Sequence, residues 1–121
     1  MKLRYLTLGA ILLTALPAYA HGPKSSHGGR MSDAGAYHAE LVVKDSTVEV
    51  FLIGEDDKPI DPKGFKGVAI FNVAGKAERI TLARSEKNVL SGTAAAALPA
   101  QPKGAIQFTA PNGKSATARF D

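Results

Sequence analysis

YHAELVVKDSTVEVFLI, residues 37–53, decides the fold. Ala39, Leu41 and Val43 alternate with His38 and Glu40, so one face of this stretch is apolar and the other polar. A spacing of two is the period of a half-buried strand. Val48, Val50 and Leu52 repeat the pattern in TVEVFLI, residues 47–53. Between the two runs, Lys44-Asp45-Ser46 has the length and polarity of a tight turn. Two strands joined this closely form an antiparallel hairpin.

The rest of the chain extends the same grammar. Glu55-Asp56-Asp57-Lys58-Pro59 reads as a second turn. Gly67 to Val73 (GVAIFNV) is nearly continuous and apolar, which marks a central strand. Ala74-Gly75-Lys76 reads as a hairpin turn into Arg79–Ala83. Val89–Thr93, Ala105–Thr109 and Ala116–Phe120 complete the set. Pro111-Asn112-Gly113-Lys114 joins the last two as a hairpin turn, because Asn-Gly tolerates positive φ. About seven strands at roughly 8–12-residue spacing predict a small single-domain, all-β, Ig-like β-sandwich over 37–121. Ala94–Ala97 favours helix by propensity, but Pro99 and Pro102 follow at once. A loop, or one helical turn crossing between sheets, is expected there.

The N-terminal end has a different character. Lys2 and Arg4 precede a mostly apolar run from Leu6 to Leu16, broken by Pro17. Ala18-Tyr19-Ala20 then offers small residues where a signal peptidase cuts. The run is too short for a bilayer span, which takes about 20 residues. Residues 1–20 are therefore expected to be a Sec-type signal peptide cleaved after Ala20, giving an exported protein with no membrane insertion. No cysteine is present to carry a lipid anchor or a disulfide. Residues 21–36 (HGPKSSHGGRMSDAGA) carry no hydrophobic period and read as a flexible His/Gly-rich leader. The signal holds two of the fifteen basic residues, so the remainder sets thirteen against eleven acids. Lysines are scattered without interleaved aromatics, which excludes a nucleic-acid stripe.

Chemistry-bearing residues are few. No cysteine or G-x-S-x-G elbow supplies a nucleophile, and the acids Asp56 and Asp57 belong to a charged turn. No calcium-loop pattern accompanies them. The chain is not expected to be an enzyme. An oxidative copper enzyme is the weakest alternative, because the aromatics look like core. The three histidines are His21, His27 and His38, and Met31 is the one methionine beyond the signal. Taken singly, each histidine reads as a solvated side chain. As a set confined to positions 21–38, they point to metal. Cleavage after Ala20 would free the His21 amino group, which with its ring could chelate one ion as a histidine brace. A second imidazole from His27 or His38 would suit Cu(II), and Met31 adds a soft auxiliary ligand for Cu(I) or Ag(I); Zn(II) also takes imidazole. Glu40 is a candidate partner for a histidine ligand. Pro23 in third place excludes the backbone-amide copper chelate, since proline has no amide hydrogen.

The stretch GGRMSDAGAYHAELVVKDSTVEVFLIGEDDKPIDPKG resembles small periplasmic proteins that accompany copper/silver and cobalt–zinc–cadmium efflux systems. The later GKAERITLARSEKNVLSG and GKSATARF are similar to that family's strands. The resemblance covers nearly all of the chain after residue 20, although its motifs are mostly structural. It implies a periplasmic β domain that buffers or delivers metal, with efflux-pump components as partners and His27 and His38 as contacts. A relative's turn often carries Asp-His where this chain reads Gly54-Glu55-Asp56. The alternative is a module without metal that docks on a pump adaptor or another envelope protein, the leader acting as a tether.

Overall fold

The computed structural model describes residues 25–85 and 88–121. The expected signal segment and His21 lie outside the described residues. Among the described residues nine strands form: β1 (Arg30–Ala34), β2 (Tyr37–Lys44), β3 (Thr47–Gly54), β4 (Pro59–Ile60), β5 (Lys66–Val73), β6 (Lys76–Arg84), β7 (Leu90–Thr93), β8 (Lys103–Thr109) and β9 (Ser115–Phe120). The seven strands expected from the alternation are all present. All pairings are antiparallel, in the order β1-β2-β3-β7-β6-β5-β8-β9, with β4 paired to β3. Strand β6 belongs to both layers: Lys76–Leu82 pairs with β5, and Ala83–Arg84 pairs with β7.

The sheet curls until its two ends meet. Strand β1 lies beside β9, and side chains bridge them. Arg30 donates to the carbonyls of Pro102 (2.7 Å) and Asp121 (3.0 Å), and its guanidinium lies 5.4 Å from the Phe120 ring centre. Ser32 Oγ donates to the Arg119 carbonyl at 2.7 Å. The result is a sandwich that is nearly a barrel rather than a seven-stranded Ig arrangement.

Two strands go beyond the expected set. Strand β4 is a two-residue pairing after the acidic turn. Strand β1 falls within residues 21–36, expected to be a flexible leader; the segment from Arg30 onward is instead ordered against β2. The reason lies in its small inward residues. Ser32 and Ala34 face the core side while Met31 and Asp33 face out, so the alternation exists without a bulky apolar member. Turns follow the expected chemistry. Asp45 has φ 53°, and Ala74 and Gly75 have φ 51° and 80°, the positive values a two-residue hairpin of primed type requires. In the last hairpin Gly113 alone takes the left-handed conformation, with its N–H on the Ala110 carbonyl at 2.9 Å. Ala94–Ala97 is a loop. Ala94 N–H and Leu98 N–H donate to the carbonyls of Ser46 and Asp45, both at 2.8 Å, which ties the crossing to the β2–β3 turn.

The core lies between the layers. Phe71, Phe108, Phe120, Leu41, Ile80, Leu82, Leu90 and Ile106 are among its large apolar members, and alanines at 34, 39, 69 and 118 let the strands close upon them. Tyr37 meets Phe65 and Phe108 edge-on, with ring centres 5.7 and 6.0 Å away. Its hydroxyl is buried without a hydrogen-bond partner among the described residues, and burial pushes its pKa up. Among the described residues no helix is long and apolar enough to cross a membrane.

Candidate metal centre

Alternation in β2 sends Tyr37, Ala39 and Leu41 to the core and His38, Glu40 and Val42 to the outside. Directly paired residues of an antiparallel sheet share a face. The register therefore sets Met31, Glu40 and Phe51 in one outward row across β1, β2 and β3, and Asp33, His38 and Ile53 in the next.

Glu40 occupies the centre of this face and is nevertheless fully buried. The segment Ser26–Gly29 folds over it. Ser26, His27 and Gly29 N–H groups donate to its carboxylate at 3.2, 2.9 and 2.8 Å, and His27 Nδ1 approaches Oε1 at 2.8 Å. Consecutive N–H groups converging on an anion form a nest; here the anion is the chain's own carboxylate. Burial pushes the Glu40 carboxyl up, but the His27 ring and the three backbone donors outweigh it and hold it below its usual range. Glycines make the closure possible. Gly28 has φ +72°, and a Cβ on Gly29 would run into the Leu41 carbonyl and sit 2.9 Å from Glu40 Cγ.

His27 is fixed twice. Besides the Glu40 contact, its ring stacks on Phe51 with centres 3.6 Å apart and planes 8° from parallel. The ring remains 45% exposed. His38 Nδ1 lies 2.6 Å from Asp33 Oδ1 across the β1–β2 pair. An ionised carboxylate only accepts hydrogen bonds, so each ring donates from Nδ1, and in a neutral ring Nε2 is the nitrogen left with a lone pair. Neither Nε2 has a partner among the described residues. A carboxylate on one ring nitrogen with the other open is the arrangement that orients metal-ligating histidines.

The structure thus brings His27, Met31, His38 and Glu40 to one face. Met31 pairs with Glu40 and is a diagonal neighbour of His38, a relation of roughly 7–8 Å between residues. His21 lies outside the described residues and is not part of this geometry. Among the described residues no group of three or more His, Asp or Glu side chains is arranged to hold a metal. The available donors are two imidazole nitrogens and a thioether. Asp56 and Asp57 form the expected turn: Gly54 N–H donates to the Lys58 carbonyl at 2.8 Å, and Lys58 N–H to Asp56 Oδ1 at 3.1 Å. Asp33 and Phe51 escaped sequence reasoning. Phe51 was open to discovery, because it falls on the outward phase of TVEVFLI. Asp33 becomes visible only through the β1–β2 register.

No protein-family model, no curated protein and no solved structure matches the chain.

Proposed function

We propose that this is an exported metal-binding protein of the periplasm, with copper as cargo, that buffers or delivers metal in heavy-metal efflux. One observation carries the proposal. Two histidines, each held at Nδ1 by a carboxylate, share one sheet face with the Met31 thioether, and neither Nε2 has a partner among the described residues. Two imidazoles and a thioether suit Cu(I) or Ag(I), which favour soft sulfur. His21 would add an amino group and a third imidazole and move the preference toward Cu(II). Zn(II) would compete for the nitrogens only.

The test is a copper titration of residues 21–121 with an authentic His21 amino terminus, followed by paramagnetic resonance of the Cu(II) form. A second protein carries one extra residue ahead of His21. Loss of tight Cu(II) binding in the extended protein, with Cu(I) binding retained, is the expected result. His27→Ala with His38→Ala and Met31→Leu should abolish Cu(I) binding. Unchanged affinity in that triple variant for both oxidation states would sink the proposal.

A further inference from the structure

The outer face of β6-β5-β8-β9 lies across the core from the His27–His38 face. Ala69 and Phe71 are buried, so Lys66, Val68, Ile70 and Asn72 of β5 turn outward. The register carries that direction to the neighbouring strands. Ile70 pairs with Arg79 on one side and Ala105 on the other, Ala105 pairs with Arg119, and Asn72 pairs with Lys103. Lys66, Arg79, Lys103 and Arg119 thus share one face around Ile70, which is 43% exposed. All four cations are exposed, and none forms an ion pair among the described residues. Among the described residues, no outward strand residue of this face is acidic. Asp33, Glu40 and Glu49 instead belong to the opposite face, with Glu55, Asp56 and Asp57 in the turn that follows β3.

We propose that this face docks the protein peripherally on an anionic phospholipid surface. Its chemistry fits lipid better than an acidic protein. Protein interfaces centre on buried aromatic anchors and deplete charge there; among the described residues this face has no aromatic side chain and surrounds its exposed Ile70 with charge. Its extent also falls short. Three strand spacings by six residue rises give roughly 15 by 20 Å, on the order of 300 Å², against about 800 Å² per partner in a standard interface. A bilayer demands no shape complementarity, and each surface cation strengthens partitioning about fivefold. Four cations and one isoleucine give a reversible, salt-sensitive attachment. Docked this way, the histidine face points away from the lipid.

The experiment is co-sedimentation of the processed protein with vesicles, in the presence of a chelator so that metal plays no part. Vesicles of phosphatidylcholine alone are compared with vesicles that also contain phosphatidylglycerol, at low and raised salt. Binding only to the anionic vesicles, lost as salt rises, is expected. Arg79→Gln with Arg119→Gln should weaken it on the order of 25-fold, about fivefold per charge. Lys66→Gln with Lys103→Gln should match, so a folding defect in one pair does not decide the matter. Lys58→Gln with Lys63→Gln removes the same charge from turns off this face and should leave binding within a few-fold of the parent. Equal weakening by all three pairs would reduce the effect to net charge and overturn the proposal. So would absence of binding to anionic vesicles, and capture by polyglutamate in its place would reassign the face to an acidic protein partner.

Discussion

Glu40 sits on the outward side of a strand, and its carboxylate is fully buried because three backbone N–H groups and the His27 ring close over it. Removing its charge leaves those donors facing a weaker acceptor. Glu40→Gln should cost about 1.5–3 kcal/mol, the range for hydrogen bonds to a charged group, measured by urea unfolding near neutral pH with a chelator present. The effect has a pH signature. The native carboxyl is held low, whereas the unfolded one titrates near its ordinary value of about 4.3. As the pH falls, the unfolded chain takes up the proton first. The stabilisation is therefore complete above about pH 4.5 and drains away as the pH drops through the native value, so the gap between parent and Glu40→Gln should narrow on the acid side. Tyr37 poses the opposite case, a hydroxyl buried without a partner. Tyr37→Phe deletes an unsatisfied group and should stabilise the fold by about 1 kcal/mol; a loss of stability would reveal a hydrogen bond the hydroxyl makes. Much of this scale is legible beforehand, because the period of residues 37–43 separates His38 and Glu40 from Ala39 and Leu41. What the period omits is the partner of each: Asp33 meets His38 through pairing, and Phe51 meets His27 through a loop that returns over the sheet.

At the scale of elements, Ser26–Gly29 and β1 form one unit wrapped over β2. Gly29 is its hinge point, since a side chain there would collide with the Leu41 carbonyl. Gly29→Ala should lift the segment off Glu40 and cost about 1–3 kcal/mol, as overpacking does. Its local reading is the His27 ring resonance, which stacking on Phe51 shifts in the parent and which should return toward the value of a free histidine. A variant that keeps the shifted resonance would show that the closure does not depend on Gly29. The Gly, Ser and His composition of residues 21–36 has the appearance of leader throughout. Strand β1 exists because Ser32 and Ala34 are small enough to sit beside β9 while its backbone completes the β2 ladder. Composition describes side chains, whereas a ladder is made by the backbone, and this is why the strand was hidden.

The whole molecule holds together by packing, with no cysteine to staple it. A chain of this size has a modest core, so its large members carry much of the stability. Phe71 and Phe108 are both fully buried, and Phe108→Ala or Phe71→Ala should cost about 3–5 kcal/mol. That is a large share of the 5–15 kcal/mol typical of a native domain, and a thermal melt should show either variant mostly unfolded at temperatures the parent withstands. Small domains that lack disulfides depend on closing their layers well, and here the meeting of β1 and β9 does so through Arg30 and Ser32. By itself the sequence determined the all-β class, seven of the nine strands, their turns, and the phase that turns His38 and Glu40 outward. Each of these follows from alternation and turn chemistry within a short window. Only the tertiary structure decided that β1 forms, that the sandwich curls almost into a barrel, that a solvent-side acid becomes the buried anchor of His27, and that four cations gather on the far face. Those outcomes depend on the register between strands distant in sequence, and no local window of residues contains that register.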